Sequence, residues 1–312
     1  MERRPFLSIV IPVFKSKAIL PVFFNTLILE LKEINLLLKT EIILVDDCSN
    51  DGSWEEIQKL AKNYKNIKGL KLKKNVGQHN AILAGLHIAS GDYIVLMDDD
   101  GQHLPSSIRE ILDKLQSGYD VCYTKYIGRN HNLLRIFFSS IANSFAKKAL
   151  GFQSDIYLSS FKGFNKSVKD EILKYESPFV YIDGLIHGVT SSITSIDTVH
   201  MKRVSGKSSY SSRKLISLML KLAINFSFVP IRFVSLLSII FGLCSVVLFF
   251  VIIFYRLTHP EVPQGWSSLA ALVLFLASIQ LLCIGIIGEY IGRALIQTNK
   301  TPQFVIDEKT FK

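Results

Sequence analysis

The sequence predicts an α/β domain built on a mainly parallel, doubly wound sheet, followed by a two-helix transmembrane hairpin. Three observations predict it. Strand-length apolar runs alternate with helical patterns as far as Asn130, the spacing of a parallel sheet with crossover helices. Two of those runs end in acids: residues 41–45 close on Asp46 and Asp47, and residues 93–97 close on Asp98, Asp99 and Asp100. Two long apolar runs then follow, at 233–255 and 269–288, each long enough to cross a bilayer core as a helix.

The elements follow in order. Residues 7–13 read as a first strand, and 18–38 carry apolar side chains at helical spacing. A second strand occupies 41–45. Ser53-Trp54-Glu55-Glu56 has the form of a capping box opening a helix that runs to about Lys65. A third strand at 67–72 leads to a helix at 78–89, stopped before Gly91. The fourth strand is 93–97. Pro105 pre-organises a helix that runs to about Gln116, and 120–124 form a fifth strand. Beyond Asn130 the pattern changes. Residues 133–150 read as an amphipathic helix, 161–164 and 193–199 as further strands, and 205–212 as a Ser/Gly/Lys-rich loop. Residues 215–228 are amphipathic and basic on one side, which suits a helix lying in the membrane interface. Residues 304–306 could add a last strand.

Charge and hydropathy bound the function. Of 312 residues 49% are hydrophobic, and the mean hydropathy is +0.31, so part of the chain does not meet water. The net charge is +10, and its densest basic stretch, Lys202 to Arg232, holds no acid and directly precedes the first span. Attraction to anionic lipid head groups explains that placement better than nucleic acid does. Basic residues outside both ends of the spans place the flanks in the cytoplasm. The protein is thus expected to be a multi-pass protein of the inner (plasma) membrane with a cytoplasmic catalytic domain and both termini cytoplasmic. Four scattered cysteines form neither a disulfide framework nor a zinc spacing. The domain boundaries expected are 1–200 for the cytosolic sheet domain and 201–231 for the basic loop and interfacial helix. The two membrane helices take 232–290, and a cytosolic tail takes 291–312.

The acids carry the chemistry. Apolar strands bury their sides and present their carboxyl ends as a rim, where ligands of open α/β sheets bind. In a strand that breaks into a turn, Asp98 and Asp100 can face one cleft, and such oxygen ligands suit Mg²⁺ or Mn²⁺. The run Asn75 to Asn80 places Gly77 at a helix start, by itself a weak anion-site signal. Gly206-Lys207-Ser208 is not a P-loop, because Met201 stands where its first glycine is required. Gly288 and Gly292 have a helix-packing spacing that leaves a homo-oligomer open.

The runs Ser8 to Phe14, Val45 to Ser53 and Asp98 to His103 resemble family 2 glycosyltransferases of the GT-A fold. Asn75 to Ala81, the loop Gly206 to Tyr210, and Gly288-Glu289-Tyr290-Ile291-Gly292-Arg293 beside two spans are similar to the polyprenyl-phosphate glycosyltransferases within it. The resemblance covers nearly the whole chain and implies an inverting transfer of one sugar from a UDP- or GDP-linked donor to a polyprenyl (undecaprenyl) phosphate. It implies that Pro12 and Phe14 line the nucleotide cleft and that Asp46, with Asp47 adjacent, holds the base or ribose. Asp98 and Asp100 match the D-x-D pair, and Gln102 the amide that joins Asp100 in the metal shell. Arg129 and Arg135 match positions that meet the acceptor phosphate, and Asp155 an acid of the acceptor half. Arg203 and Ser208 fall in the loop that closes over the diphosphate. The chain departs from the family pattern at Asp99, Gly101, Lys207 and Ser209, and Lys162 stands where arginine is frequent. Two other readings stand beside it: a processive polysaccharide synthase, whose Q-x-x-R-W motif and additional spans are missing, and a non-catalytic membrane scaffold.

Overall fold

The computed structural model describes residues 5–99, 101, 105–127, 157–199, 265–299 and 301–311, together with isolated positions between 234 and 258. They divide into a sheet unit, Met1–Ser212 with Lys300–Lys312, and a second unit, Arg213–Asn299.

The sheet unit begins with β1 (Leu7–Val13), α1 (Leu20–Glu33), β2 (Thr40–Asp46), α2 (Ser53–Asn63), β3 (Ile67–Leu72), α3 (Gln78–Ile88), β4 (Tyr93–Leu96) and α4 (Ser107–Gln116). It continues with β5 (Val121–Ile127), β6 (Lys162–Asn165), α5 (Lys166–Ile172), α6 (Ile182–Val189) and β7 (Ile193–Val199), and ends with β8 (Ile306–Lys309). The strand order is β7-β5-β6-β4-β1-β2-β3-β8. Strands β4, β1, β2 and β3 run parallel, as do β5 and β7. Strand β6 lies antiparallel between β4 and β5, and β8 lies antiparallel on β3. The sheet is therefore mixed and mainly parallel.

Strands β1 and β2 are buried along their whole length, as expected of strands covered on both faces. Period-two alternation sorts their side chains. Leu7, Ile9, Ile11 and Val13 pack with α1, α2 and α4 on one face. Val10, Ile43 and Val45 pack with α3, α5 and α6 on the other. Helix α1 meets its face through Leu20, Phe23, Phe24, Leu27, Ile28 and Leu31, a 3.6-residue stripe. Helix α3 sits unusually close to the sheet. A Cβ at Gly85 would lie 2.4 Å from a Val10 methyl, so only glycine fits there without displacement.

Three readings of the sequence are corrected. The capping box at Ser53 does not form. Ser53 is already helical, the N-cap is Gly52, and no side chain caps the helix. The Asp51 carboxylate instead accepts from the Ser53 amide at 3.1 Å and hydroxyl at 2.6 Å, and Glu56 turns to Lys59 at 2.7 Å. The last strand lies at Ile306–Lys309 rather than 304–306. Its register follows Glu308, which pairs with Lys71 at 2.8 Å and accepts from the Trp54 indole at 3.0 Å. The helix expected at 18–38 ends at Glu33, and a short 3₁₀ turn, Leu37–Lys39, follows it.

In the second unit, α7 (Trp266–Thr298) is a single apolar helix of 33 residues. Its stretch Phe275–Ile296 is long and apolar enough to cross a membrane. Described apolar side chains along it, such as Phe275, Leu281, Ile284 and Ile291, are exposed. The run at 233–255 is described only at isolated helical positions. The expected helices at 133–150 and 215–228 and the loop at 205–212 lie outside the described residues.

Candidate active site

The parallel strands bring their carboxyl ends to one edge. Val13 of β1 is in register with Asp46 of β2, and Val10 of β1 with Leu96 of β4. Strand β1 therefore separates the two acidic groups, with Asp46 and Asp47 on one side and Asp98 and Asp99 on the other. This is also where the strand order reverses, since the chain moves from β1 outward to β2 and β3 and then back past β1 to β4. Such a switch point opens a crevice for ligands.

The rim is tightly turned. Lys15 and Cys48, just past β1 and β2, take left-handed backbone angles of φ 58° and 59°, each costing about 1–2 kcal/mol for a residue with a Cβ. Side chains from neighbouring loops hold these turns. Lys15 N–H donates to Ser49 Oγ (3.0 Å), Ser16 N–H to Ser53 Oγ (3.0 Å) and Lys17 N–H to Asp51 Oδ2 (3.1 Å). Phe14 N–H donates across the crevice to Asp99 Oδ2 at 3.3 Å. The Phe14 ring is 46% exposed at the crevice mouth, with the Lys15 ammonium 5.3 Å from its centroid. Pro12 is buried below it.

The acids differ in setting. Asp46 and Asp47 are buried. Asp46 accepts from the Ser49 amide at 3.2 Å. Asp47 is clamped by the loop before α3, where Val76 N–H donates to one carboxylate oxygen at 2.8 Å and Gly77 N–H to the other at 2.9 Å. Burial pushes both carboxyls above the ordinary aspartate range, and these hydrogen bonds oppose the rise. Asp98 and Asp99 are partly exposed. Asp98 Oδ1 accepts from Gln78 Nε2 at 2.6 Å.

The structure thus brings Pro12, Phe14, Asp46, Asp47 and Asp98 to one rim. Asp100, Gln102, Arg129, Arg135, Asp155, Arg203 and Ser208 lie outside the described residues. Among the described residues no group of three potential metal ligands gathers. Of the described rim carboxylates, Asp98 and Asp99 are partly exposed hard oxygen donors, which suit Mg²⁺ or Mn²⁺.

By spacing alone Asn75 to Asn80 is a weak anion-site signal, and its place in the family resemblance assigns no role to its residues; in the structure it braces the rim. Asn75 Nδ2 donates to the Asp47 carbonyl at 3.1 Å, and Gly77, at φ 86°, turns the chain into α3. Two residues on, His79 accepts from Ile182 N–H at 3.4 Å and meets Tyr181 edge-on at 5.0 Å. Desolvation holds its imidazole neutral, with the pKa lowered to about 4. Behind it lies a buried set: Lys162 pairs with Asp183, and Tyr123 donates to Asp183 at 2.9 Å. The glycine after a strand was the one local signal for the brace.

Parallel strands, a reversed strand order and carboxylates on the crevice rim define a nucleotide-dependent transferase of the GT-A architecture. The chain belongs to glycosyl transferase family 2, whose model matches residues 8–173, and it is a glycosyltransferase. It is 30% identical over 304 residues to the undecaprenyl-phosphate 4-deoxy-4-formamido-L-arabinose transferase of Photorhabdus laumondii, covering 96% of this chain and 93% of that one. The transferase of the same name from Pectobacterium atrosepticum is also 30% identical, with 96% and 92% covered. Among solved structures, the Pyrobaculum calidifontis mannosyltransferase PcManGT, in complex with GDP-Man and Mn²⁺, superposes with a TM-score of 0.50 at 14% identity. That match covers 72% of this chain and 64% of the other, less than two thirds of its length. The Mycobacterium tuberculosis glucosyl-3-phosphoglycerate synthase, with Mn²⁺, UDP and phosphoglyceric acid, also gives 0.50, at 16% identity over 71% and 77% of the two chains. These two likenesses concern the fold alone.

Proposed function

We propose that the enzyme moves one sugar from a nucleotide-sugar to the phosphate of a polyprenyl lipid, inverting the anomeric centre. The observation that carries this reading is the similarity to undecaprenyl-phosphate sugar transferases, which runs through 96% of the chain and so includes the apolar segment as well as the acidic rim.

The residues suit the chemistry. A phosphate monoester oxygen is already anionic near neutrality, so it attacks the anomeric carbon without a strong general base. The new bond joins that oxygen to the anomeric carbon, and the bond to the donor diphosphate breaks on the opposite face. The exposed Phe14 ring offers a platform for the base, and the clamped pair Asp46 and Asp47 takes base or ribose donors. Asp98 and Asp100 hold the diphosphate side, with Asp100 and Gln102 as the ligands for Mg²⁺ or Mn²⁺. The cation, when bound, neutralises the charge that grows on the leaving nucleotide. Arg203 and Ser208 close over that diphosphate, Arg129 and Arg135 orient the acceptor phosphate through guanidinium forks, and Asp155 serves the acceptor side.

Chain connectivity supports a hairpin topology. Strand β8 belongs to the same sheet as β1, which favours a reading in which the sheet domain and the C-terminal tail share one side of the bilayer. A chain that leaves and rejoins one sheet crosses an even number of times. With α7 as one span, residues 233–255 supply the other, giving a hairpin whose basic flanks face the cytoplasm. On this reading the units are the cytosolic sheet domain 1–200, the basic interfacial segment 201–231, the hairpin 232–290 and the cytosolic tail 291–312.

The test is a transfer assay with purified enzyme, polyprenyl phosphate and a panel of UDP- and GDP-sugars, read by mass spectrometry of the lipid. One donor is expected to give a lipid carrying a single sugar. No lipid-linked product with any donor would overturn the proposal, and a product that lengthens would turn it toward a polymer synthase.

A further inference from the structure

One side chain at the rim has no part in the scheme above. Gln78, the first residue of α3, donates through Nε2 to Asp98 Oδ1 at 2.6 Å. Asp98 lies two residues beyond the end of β4, and the Gln78 amide holds one of its carboxylate oxygens directly. The helix carrying Gln78 is anchored at three points. Its leading amides grip Asp47, His79 docks on the start of α6, and Gly85 lets the helix approach β1. Asp183, the second residue of α6, is tied to Lys162 of β6 and Tyr123 of β5. A long amide on a free helix would lose considerable rotamer entropy in reaching a carboxylate. Here the helix start is already placed by contacts to β2, β1 and α6.

We propose that Gln78 is a positioning residue that fixes the Asp98 carboxylate for the cation and diphosphate of the donor. The inference rests on the reading of the rim as a metal-assisted donor site. Amides and carboxylates that orient ligands from behind contribute about 10–100-fold in metal affinity or activity when lost. Gln78 itself is exposed, so its replacement leaves the core intact.

The experiment titrates Mn²⁺ alone into the full-length enzyme in detergent, following bound metal by electron paramagnetic resonance. Gln78→Met keeps the length and removes the donor, and Gln78→Ala removes both. Both are expected to raise the Mn²⁺ dissociation constant about tenfold at an unchanged unfolding temperature, and to lower kcat more than they raise the donor KM. Asp98→Asn is the reference. In the Asp98→Asn background Gln78→Met should have no further effect, because the carboxylate it orients is gone. A purely space-filling role predicts that Gln78→Met behaves as wild type. Metal affinity within twofold of wild type in Gln78→Met, beside a weakened Asp98→Asn, would overturn the positioning role alone. Unchanged affinity in Asp98→Asn would overturn the role of Asp98 toward the cation, and with it that of Gln78, whereas no bound Mn²⁺ in the wild-type enzyme would overturn the metal reading of the rim on which both depend.

Discussion

Glu41 is a test of how the sheet is held at the end away from the rim. It is 5% exposed near the start of β2. Its Oε1 accepts from Ser8 Oγ (2.6 Å), Ser90 N–H (2.6 Å) and Ser90 Oγ (2.8 Å), and its Oε2 from Lys68 Nζ (2.7 Å). One carboxylate thus ties β1, β2, β3 and the turn before β4. Burial alone would raise its pKa, but the Lys68, Ser8 and Ser90 bonds outweigh that and hold it below the ordinary 4.5. Glu41→Gln keeps an acceptor for the serines and loses the charge. Lys68 is about one third exposed and turns to water, so the loss is about 1–2 kcal/mol. Glu41→Ala also strips the acceptor from a buried hydroxyl and a backbone amide, and about 3–4 kcal/mol is expected. At about 2–4 °C per kcal/mol for a domain of this size, the alanine variant melts roughly 10 °C lower. The pH dependence has a definite sign. A folded pKa below the unfolded value stabilises above pH 4.5 and loses that stabilisation as pH falls through the folded value. The gap between wild type and Glu41→Gln should therefore shrink on acidification. Thermal unfolding by circular dichroism across that range checks both. An alanine variant within about 1 kcal/mol of wild type, or a gap that widens in acid, would refute the reasoning.

Two further outcomes are expected. Asp47→Asn should weaken binding of a nucleoside diphosphate roughly 10-fold, measured by calorimetry. Both carboxylate oxygens accept backbone amides, so an amide NH₂ must face an N–H donor and forfeit a charge-assisted bond. Deleting residues 303–312 should lower the unfolding temperature and raise the donor KM. It removes β8 together with the Gln303 bonds to the Tyr175 and Ser177 carbonyls at 2.7 and 2.9 Å. It also removes the Val305 carbonyl that accepts Lys73 N–H at 2.9 Å, at the root of the loop that clamps Asp47. A truncated enzyme with wild-type donor kinetics would contradict that linkage.

What could be read in advance was whatever the local pattern encodes. Continuous apolar runs marked β1 and β2 because a doubly covered strand has no polar face to show, and the acids that close β2 and follow β4 marked the rim. Strand β7 was legible to the residue, at Ile193–Val199. The capping box misled because Ser53 has a nearer competitor, Asp51, two residues before it. The β8 register was hidden because Asp307, Glu308 and Lys309 look like a solvated tail until Lys71 and Trp54 stand opposite. The antiparallel insertion of β6 between β4 and β5 is a long-range pairing that no window of sequence contains. Gln78 was missed for the same reason, since its partner lies 20 residues away on another element.

The rim raises a problem of charge that bears on the metal. Asp46, Asp47, Asp98 and Asp99 share one sheet edge, and the proposed donor brings a diphosphate to it. At an effective dielectric of 20, two like charges about 5 Å apart repel by roughly 3 kcal/mol, so each acid facing the diphosphate works against binding. The hydrogen bonds to these carboxylates do not remove this. The amides of Ser49, Val76, Gly77 and Phe14 cross-brace the loops and partly screen the carboxylates, but leave their net charge in place. A divalent cation between acid and diphosphate turns the repulsion into attraction, which is the physical case for Mg²⁺ or Mn²⁺. It follows that chelation should weaken nucleoside diphosphate binding itself, by about 100-fold or more for a net change of 3 kcal/mol, and not merely slow turnover. Calorimetric titration of UDP and GDP with Mn²⁺ and with a chelator separates the two. Equal affinity in both conditions would mean that the acids do not face the diphosphate and that the donor lies elsewhere on the crevice.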